Sequence, residues 1–214
     1  SKMSSTRDGL LTLISKVGIA LLGSTNFEET LQILASLVFE AVPAERCVIM
    51  LRDEDQPDKL KIAVAKVRGS SEVPAEVRIS RTVMDEVVEN GKSVLTSDAQ
   101  HDPRYASQTM ALLGIRSVLA VPLSAGQEVF GLIYADSPTY EATFTEDHLN
   151  ILTTLASVAS IRVENARLTE ERFERERLEH ELKLASEIQQ RLQPSSPPQI
   201  DGYELQGISF SCYE

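Results

Sequence analysis

The sequence predicts an α+β domain, built on an antiparallel sheet, that is followed by one long helix. Short apolar runs come in pairs joined by turn residues, which is the pattern of antiparallel hairpins. Segments with helical spacing and capping residues lie between these pairs and after the last of them. The chain also has no proline between Pro138 and Pro194 and no glycine between Gly131 and Gly202, so nothing interrupts a helix there.

The elements of the first 140 residues alternate between helices and hairpin strands. Helices are predicted over 5–22, from Thr25 or Asn26 to Pro43, from Ser80 to Gly91 and from Asp102 to Leu113. Strands are predicted over 47–51, 60–67, 93–96, 117–123 and 129–135. Hairpins with helices gathered around them are typical of the α+β class.

The long helix is predicted over residues 144–193. Thr145 is its N-cap, residues 146–147 are acidic, as first-turn residues often are, and Phe144 would pack on Leu149. At ~1.5 Å per residue the helix would extend roughly 70 Å, about twice the width of a small domain. Its far half is therefore expected to reach another domain or a second copy of the chain, as a signalling connector would.

Apolar residues at coiled-coil spacing predict that this helix forms a parallel homodimer. Residues 170–177 are nearly all charged and separate an upstream part of the seam from a leucine-rich part, so that register could shift there at low energetic cost. A solvated single helix is the alternative interpretation. The predicted dimer contacts are Ile161, Leu168, Leu178, Leu182, Ala185, Ile188 and Leu192.

Composition excludes several classes of function. Acidic residues outnumber basic ones, 32 to 21, and the formal net charge is -11, which argues against nucleic acid as a partner. No apolar run has the ~18–20 residues that cross a bilayer, so no membrane partner is expected. The two cysteines give no disulfide framework, and the cytoplasm is the expected location.

No catalytic or metal site is predicted within the chain. The three histidines, His101, His148 and His180, lie on different predicted elements without a partner at metal-ligand spacing. The carboxylates of residues 53–55 and 146–147 fit a hairpin turn and a helix N-terminus. Phosphate-binding loops, dinucleotide fingerprints and nucleophile elbows do not occur in the sequence.

The order of several segments resembles a GAF domain over residues 5–165. These segments read DAQHDPRY at 98–105, GIRSVLAVPL at 114–123, VFGLIYAD at 129–136 and FTEDHLNILTTLASVASIRVENA at 144–166. The resemblance implies a central antiparallel sheet between helices, frequent dimerisation, and a small-molecule pocket on one face of the sheet.

The resemblance also implies which residues border that pocket: Asp98, Arg104, Tyr105 and Arg116. In the functional interpretation an arginine meets an anionic or carbonyl group of an unidentified ligand, and Tyr105 stacks above it. In the structural interpretation Asp98 and Asp102 cap turns and Arg104 pairs with one of them.

Two known activities of the family are not expected in this chain. GAF domains that resemble the cyclic-nucleotide group share an Asn-Lys pair, whereas this sequence has Ala135-Asp136 at the corresponding position. Methionine sulfoxide reduction uses loop cysteines, whereas Cys47 lies in an apolar strand and Cys212 outside the domain.

The C-terminal residues resemble the linker and first strand of stage II sporulation E-like phosphatases, the PPM-type (type 2C) serine/threonine phosphatases. The segments are ELKLASEIQQRLQP at 181–194 and GYELQGISFSCYE at 202–214. The resemblance implies a parent enzyme that uses Mn²⁺ or Mg²⁺ to dephosphorylate a phosphoprotein. The metal-binding acid of that family would follow Glu214, so the chain itself is expected to be no enzyme and to hold no cofactor.

Four segments result from these interpretations. Residues 1–4 are a tag or a disordered end, 5–165 a GAF sensor domain, 166–193 a coiled-coil linker, and 194–214 the start of a phosphatase domain. Two other functions stay open: a purely structural dimerisation domain without a ligand, and a GAF sensor that controls a different output, such as a cyclase, a kinase or a transcription activator.

Overall fold

A computed structural model gives the structure of two units, divided between Arg167 and Leu168. The residues it describes are 12, 15–20, 23, 26–53, 56, 58–70, 79–105, 108, 111, 114–139, 143–192, 200–202, 204 and 207. The predictions for residues 1–4, for most of 5–22 and 194–214, and for half of 102–113 lie outside the described residues. Residues 15–20, 108 and 111 are helical where the structure describes them.

The first unit contains one antiparallel sheet, which confirms the predicted fold class. Its strands are β1 (Arg46–Arg52), β2 (Leu60–Val67), β3 (Val94–Thr96), β4 (Ser117–Ala125) and β5 (Glu128–Ser137). They lie in the order β2-β1-β5-β4-β3, and every neighbouring pair is antiparallel. The helices are α1 (Phe27–Ala41), α2 (Arg81–Val88) and α3 (Glu146–Leu192).

Helices cover both faces of the sheet. Successive strand residues point to opposite faces, so each strand contributes side chains to both sides. On β5, Ile133 and Ala135 belong to a first apolar cluster, which also contains buried side chains of α1 and α3. Leu132 and Tyr134 belong to a second cluster, which contains buried side chains of α2. The sheet is therefore the middle layer, and each cluster fills one side of it.

The centre of the sheet has no room for a side chain at Gly131. A Cβ atom there would lie 2.7 Å from Leu51 Cδ2 and inside contact distance of the Met50 carbonyl oxygen. Real Cβ atoms do not approach backbone that closely, so β1 and β5 can pair at their present distance only with glycine at this position.

The C-terminus of α1 is capped by an arginine that follows strand β2. The Arg68 guanidinium donates hydrogen bonds to the carbonyl oxygens of Ala44, Phe39 and Val42 at 2.7, 2.8 and 2.9 Å. It also lies 5.1 Å from the centre of the Phe39 ring. The Phe39 carbonyl lies in the last turn of α1, where carbonyls have no partner within the helix, and those of Val42 and Ala44 lie just beyond it.

The predicted N-cap of α3 is confirmed, with histidine in the role that glutamate or glutamine usually has. The Thr145 hydroxyl accepts a hydrogen bond from the His148 N–H at 3.4 Å, and the Thr145 N–H donates to His148 Nδ1 at 3.2 Å. Phe144 is buried in the first cluster, and Leu149 packs against that cluster. The helix then continues for 47 residues without interruption.

Burial along α3 changes near residue 164. Residues Leu152, Leu155, Ala156, Ala159, Ser160 and Val163 are buried. Among the residues from 168 to 192, every large apolar side chain is at least 45% exposed. Within the described part of the chain, none of the helices is both long and apolar enough to span a membrane.

We expect the cap of α3 to weaken in mild acid. Burial lowers the pKa of His148 below its usual 6.5, and the neighbouring Asp147 opposes that shift. Because the lowered pKa favours the neutral ring, the stabilisation is complete above about pH 6.5 and is lost as the pH falls from there. Protonated Nδ1 can no longer accept the Thr145 N–H. Amide hydrogen exchange at residues 145–149 between pH 7 and pH 5 measures this loss.

His148→Gln should remove the pH dependence and keep the cap, since glutamine accepts the same bond at every pH. The control is His180→Gln, an exposed position of the same helix, which should behave as the unsubstituted chain does. An equal response of the unsubstituted chain and His148→Gln would contradict the prediction.

Candidate functional site

The loop after β3 and the first turn of α3 line a groove of about 500 Å³. Two of the predicted pocket residues, Asp98 and Arg104, lie along it. The full lining consists of Leu95, Thr96, Ser97, Asp98, His101, Asp102, Arg104, Phe144, Thr145 and Glu146. Tyr105 and Arg116, the other two predicted residues, are not part of this lining.

Arg104 is bound to its neighbour Asp102. The Arg104 backbone N–H and Nε both donate to Asp102 Oδ1 at 3.0 Å, and Nη2 donates to Oδ2 at 2.8 Å. These hydrogen bonds lower the pKa of Asp102 to about 2. The guanidinium also lies 5.0 Å from the centre of the Tyr105 ring. The structural interpretation of Arg104 therefore describes the observed contacts, and a ligand would have to compete with a charge partner already in place.

Asp98 orders the start of the same loop. Its carbonyl oxygen accepts the N–H groups of His101 and Asp102 at 3.2 and 2.9 Å. Its carboxylate oxygens both lie 3.0 Å from His101 Nδ1. Over the ranges that the structure describes, no three or more His, Cys, Asp or Glu side chains are placed to hold a metal ion.

Tyr105 and Arg116 join this loop to the sheet. Tyr105 is buried in the second cluster, so its ring lies beneath the rim. Arg116 is half-buried, and its N–H donates to the Ser137 carbonyl at 2.9 Å. The Arg116 carbonyl accepts the Ala99 N–H at 2.7 Å. Of the four predicted residues, two therefore line the groove, Tyr105 lies in the second cluster, and the backbone of Arg116 connects the loop to the sheet.

A buried polar corner, which the sequence did not reveal, lies at the end of the β1–β5 pair. Arg46 and Asp136 face each other across the two strands. Arg46 Nε donates to Asp136 Oδ2 at 3.0 Å, and Nη2 donates to the same oxygen. The Asp136 carboxylate is almost completely buried, and the Arg46 side chain keeps a small exposed fraction.

Tyr134 completes this corner with a buried hydroxyl that makes no hydrogen bond of standard geometry, although it lies beside Asp136 and Arg46. Burial raises the pKa of Tyr134 well above its usual range, and the nearby Asp136 raises it further. Burial also raises the pKa of Asp136, against the opposing effect of Arg46. A buried hydroxyl without a partner costs about 1–3 kcal/mol. Tyr134 lies on the same face of the sheet as Tyr105.

Cys47 is unsuited to redox or nucleophilic chemistry. Its side chain is completely buried in the first cluster, and burial raises the pKa of the thiol to about 12. The thiolate is the reactive form, so this cysteine is inert at neutral pH. Cys212 lies outside the described residues.

We expect Arg46→Met to destabilise the domain by about 3–5 kcal/mol at pH 7, because it leaves the Asp136 carboxylate buried without its partner. Loss of Arg46 raises the pKa of Asp136 further above its unfolded value. The protonated acid is therefore favoured in the fold, and stability falls as the pH rises above the unfolded value of 3.8. Urea unfolding should show a smaller effect of the substitution at pH 4 than at pH 7.

The double variant Arg46→Met with Asp136→Asn removes the unpaired charge and should recover most of this loss. Equal destabilisation at both pH values, or a double variant as unstable as Arg46→Met alone, would refute the assignment.

Comparison with known proteins identifies the fold of the first unit. The family model of the GAF domain matches residues 26–163. Among solved structures, the GAF domain of a phosphoenolpyruvate-protein phosphotransferase from Coxiella burnetii is similar. It has a TM-score of 0.61 and 19% identity, over 76% of this chain and 96% of that chain.

Two further structures are similar at the level of the fold. A free methionine-R-sulfoxide reductase from Neisseria meningitidis has a TM-score of 0.57 and 23% identity, over 79% of this chain and 94% of that chain. A GAF domain/HD domain protein from Geobacter sulfurreducens has a TM-score of 0.53 and 18% identity, over 69% of this chain and 98% of that chain. Because the family model matches more than half of its residues, the chain belongs to the GAF family.

Proposed function

We propose that this chain is the sensor and dimerisation part of a signalling protein, in which the GAF domain controls an output domain through α3. The single observation that carries the proposal is the exposed apolar surface on the far part of this uninterrupted helix. Leu178, Leu182 and Leu192 are 54%, 56% and 80% exposed. A helix that leaves such side chains in water gains stability when another surface covers them.

A second copy of the chain is the partner proposed for that surface. Leu178, Leu182, Ala185 and Leu192 recur at the 4-3 spacing of a coiled-coil seam. Ion pairs within the helix, such as Arg172–Glu176 at 2.9 Å, lie away from that seam and are too exposed to contribute much stability. Pairing of two seams would bury the leucines without any other protein.

A PPM-type serine/threonine phosphatase is the output domain that we propose. The support is the sequence of residues 181–194 and 202–214, which resembles the linker and first strand of that family. A catalytic domain of this kind would supply Mn²⁺ or Mg²⁺ and would act on a cytoplasmic phosphoprotein. Similar GAF domains belong to proteins named for a phosphotransferase and for an HD domain, so a different output is the competing candidate.

A small molecule bound on the second face of the sheet is the proposed signal. Tyr105 and the orphan hydroxyl of Tyr134 support it, since both lie on this face. The groove that contains Asp98 and Arg104 would form the entrance. A purely structural domain is the alternative. Native mass spectrometry of gently purified protein distinguishes them, because only a sensor would carry a bound small molecule.

For the dimer, we expect Leu182→Lys to raise the dissociation constant at least ~10-fold, which corresponds to 1.4 kcal/mol, because an ammonium group would enter the seam. Sedimentation equilibrium measures the constant. The matched control is Leu184→Lys, which changes an exposed leucine two residues away, outside the 4-3 spacing, and should leave the dimer intact. A chain that is monomeric at high concentration, or equal effects of the two variants, would contradict the proposal.

For the output, we expect the parent chain, extended beyond Glu214, to release phosphate from a phosphoserine peptide only when Mn²⁺ or Mg²⁺ is present. Leu182→Lys should change that rate, while Leu184→Lys should not, because only the former disturbs the proposed dimer. A gene that continues into an HD, kinase or phosphotransferase domain would exclude the phosphatase.

A further inference from the structure

We propose that the charged stretch of α3 is part of the dimer seam, and that Glu171 of each helix binds Arg175 of the other in a parallel, in-register pair. This inference rests on the homodimer proposed above and names the contact that sets its register. Each of these two side chains therefore pairs with the oppositely charged side chain of a second copy of this chain.

The seam positions continue through this stretch without a change of phase. Seven residues before Leu182 stands Arg175, and seven before that stands Leu168. Seven residues before Leu178 stands Glu171. The spacing from Leu168 to Leu182 is therefore 3, 4, 3 and 4 residues, and the α-helix has no interruption over this range. Glu171 and Arg175 lie on the same side of the helix as the leucines.

Two other arginines of this stretch have partners within their own helix. Arg172 Nε lies 2.9 Å from Glu176 Oε1, and Arg177 Nε lies 3.8 Å from Glu181 Oε1. Arg175 is exposed and forms no ion pair with any residue that the structure describes in this chain. Of the three arginines in this stretch, the one on the seam is therefore available to a second copy, while the other two already have charge partners.

Two-fold symmetry makes this pair of positions self-complementary. In a symmetric dimer, if residue i of one copy contacts residue j of the other, the reverse contact forms as well. Glu171 and Arg175 are long side chains in consecutive layers of the seam, so two crossed ion pairs form and their charges cancel. Without the crossed pairs, the two Glu171 carboxylates would face each other in one layer and the two Arg175 guanidinium groups in the next. Both arrangements are repulsive.

The consequence is selection of one register at some cost in stability, in place of the low-cost register shift that the charged stretch suggests from the sequence alone. A polar layer within an otherwise apolar seam fixes register, because a shifted helix would bury unpaired charges. The flanking charges do not provide this selection, since Glu174 and Glu179, which lie on either side of the interface, have the same sign.

Charge reversal tests the crossed pairs. Glu171→Arg alone places four positive charges in the two layers, and Arg175→Glu alone places four negative charges there. We expect each variant to dimerise at least ~10-fold more weakly than the unsubstituted chain. An equimolar mixture should recover a dissociation constant within ~3-fold of the original, because both crossed pairs re-form in the heterodimer. Sedimentation equilibrium with one variant fluorescently labelled gives all three constants.

The matched controls reverse charges off the seam, Glu170→Arg and Arg177→Glu, and should change the constant by less than ~5-fold with no gain on mixing. Orientation is tested with Leu182→Cys in a Cys212→Ser background. An in-register parallel pair forms the 182–182 disulfide under mild oxidation, because equivalent seam positions face each other.

The outcomes separate this inference from the dimer itself. An unsubstituted chain that stays monomeric overturns both. A dimeric chain whose mixed variants remain as weak as each variant alone overturns only the crossed pairs. Failure of the 182–182 disulfide to form in a dimeric chain overturns the parallel register.

Discussion

The burial of one side of α3 against the sheet is the constraint on which the rest of the molecule depends. Leu152, Leu155, Ala159 and Val163 have almost no exposed surface, and they fill the first cluster together with α1 and the strands. The same helix continues far beyond the last of these residues. One continuous hydrogen-bonded element thus begins in a domain core and ends as a surface rich in exposed leucines, which links the fold to the proposed dimer.

Local signals predicted most of the secondary structure. The Asn26 side chain accepts the Glu29 N–H at 2.8 Å, as a capping motif read from adjacent residues implies. Thr145 and Phe144 marked the start of α3 in the same way. Such signals depend on residues three to five positions apart, so a single sequence contains all the information that they need. The same holds for Asp102 and Arg104, whose pairing was one of two interpretations of the loop.

The polar corner escaped prediction for the opposite reason. Arg46 and Asp136 are 90 residues apart, and only the register between β1 and β5 brings them together. A lone arginine at the start of one apolar strand and a lone aspartate at the end of another look like ordinary strand ends. Alternation along β5 places Tyr134 and Asp136 on one face, but neither burial nor the absence of a partner for the hydroxyl can be derived from spacing. Contacts between strands that are far apart in the sequence cannot be predicted from local spacing, because they depend on the register of strand pairing.

The three carbonyl bonds of Arg68 have a mechanical consequence. Arg68 follows the last residue of an edge strand, and its guanidinium is fastened to the end of α1. Displacement of that strand end would pull on the last turn of α1 and on the residues just after it, through three hydrogen bonds at once. The first hairpin and α1 are therefore expected to move as one body, so that any hinge within this layer would lie elsewhere in the domain.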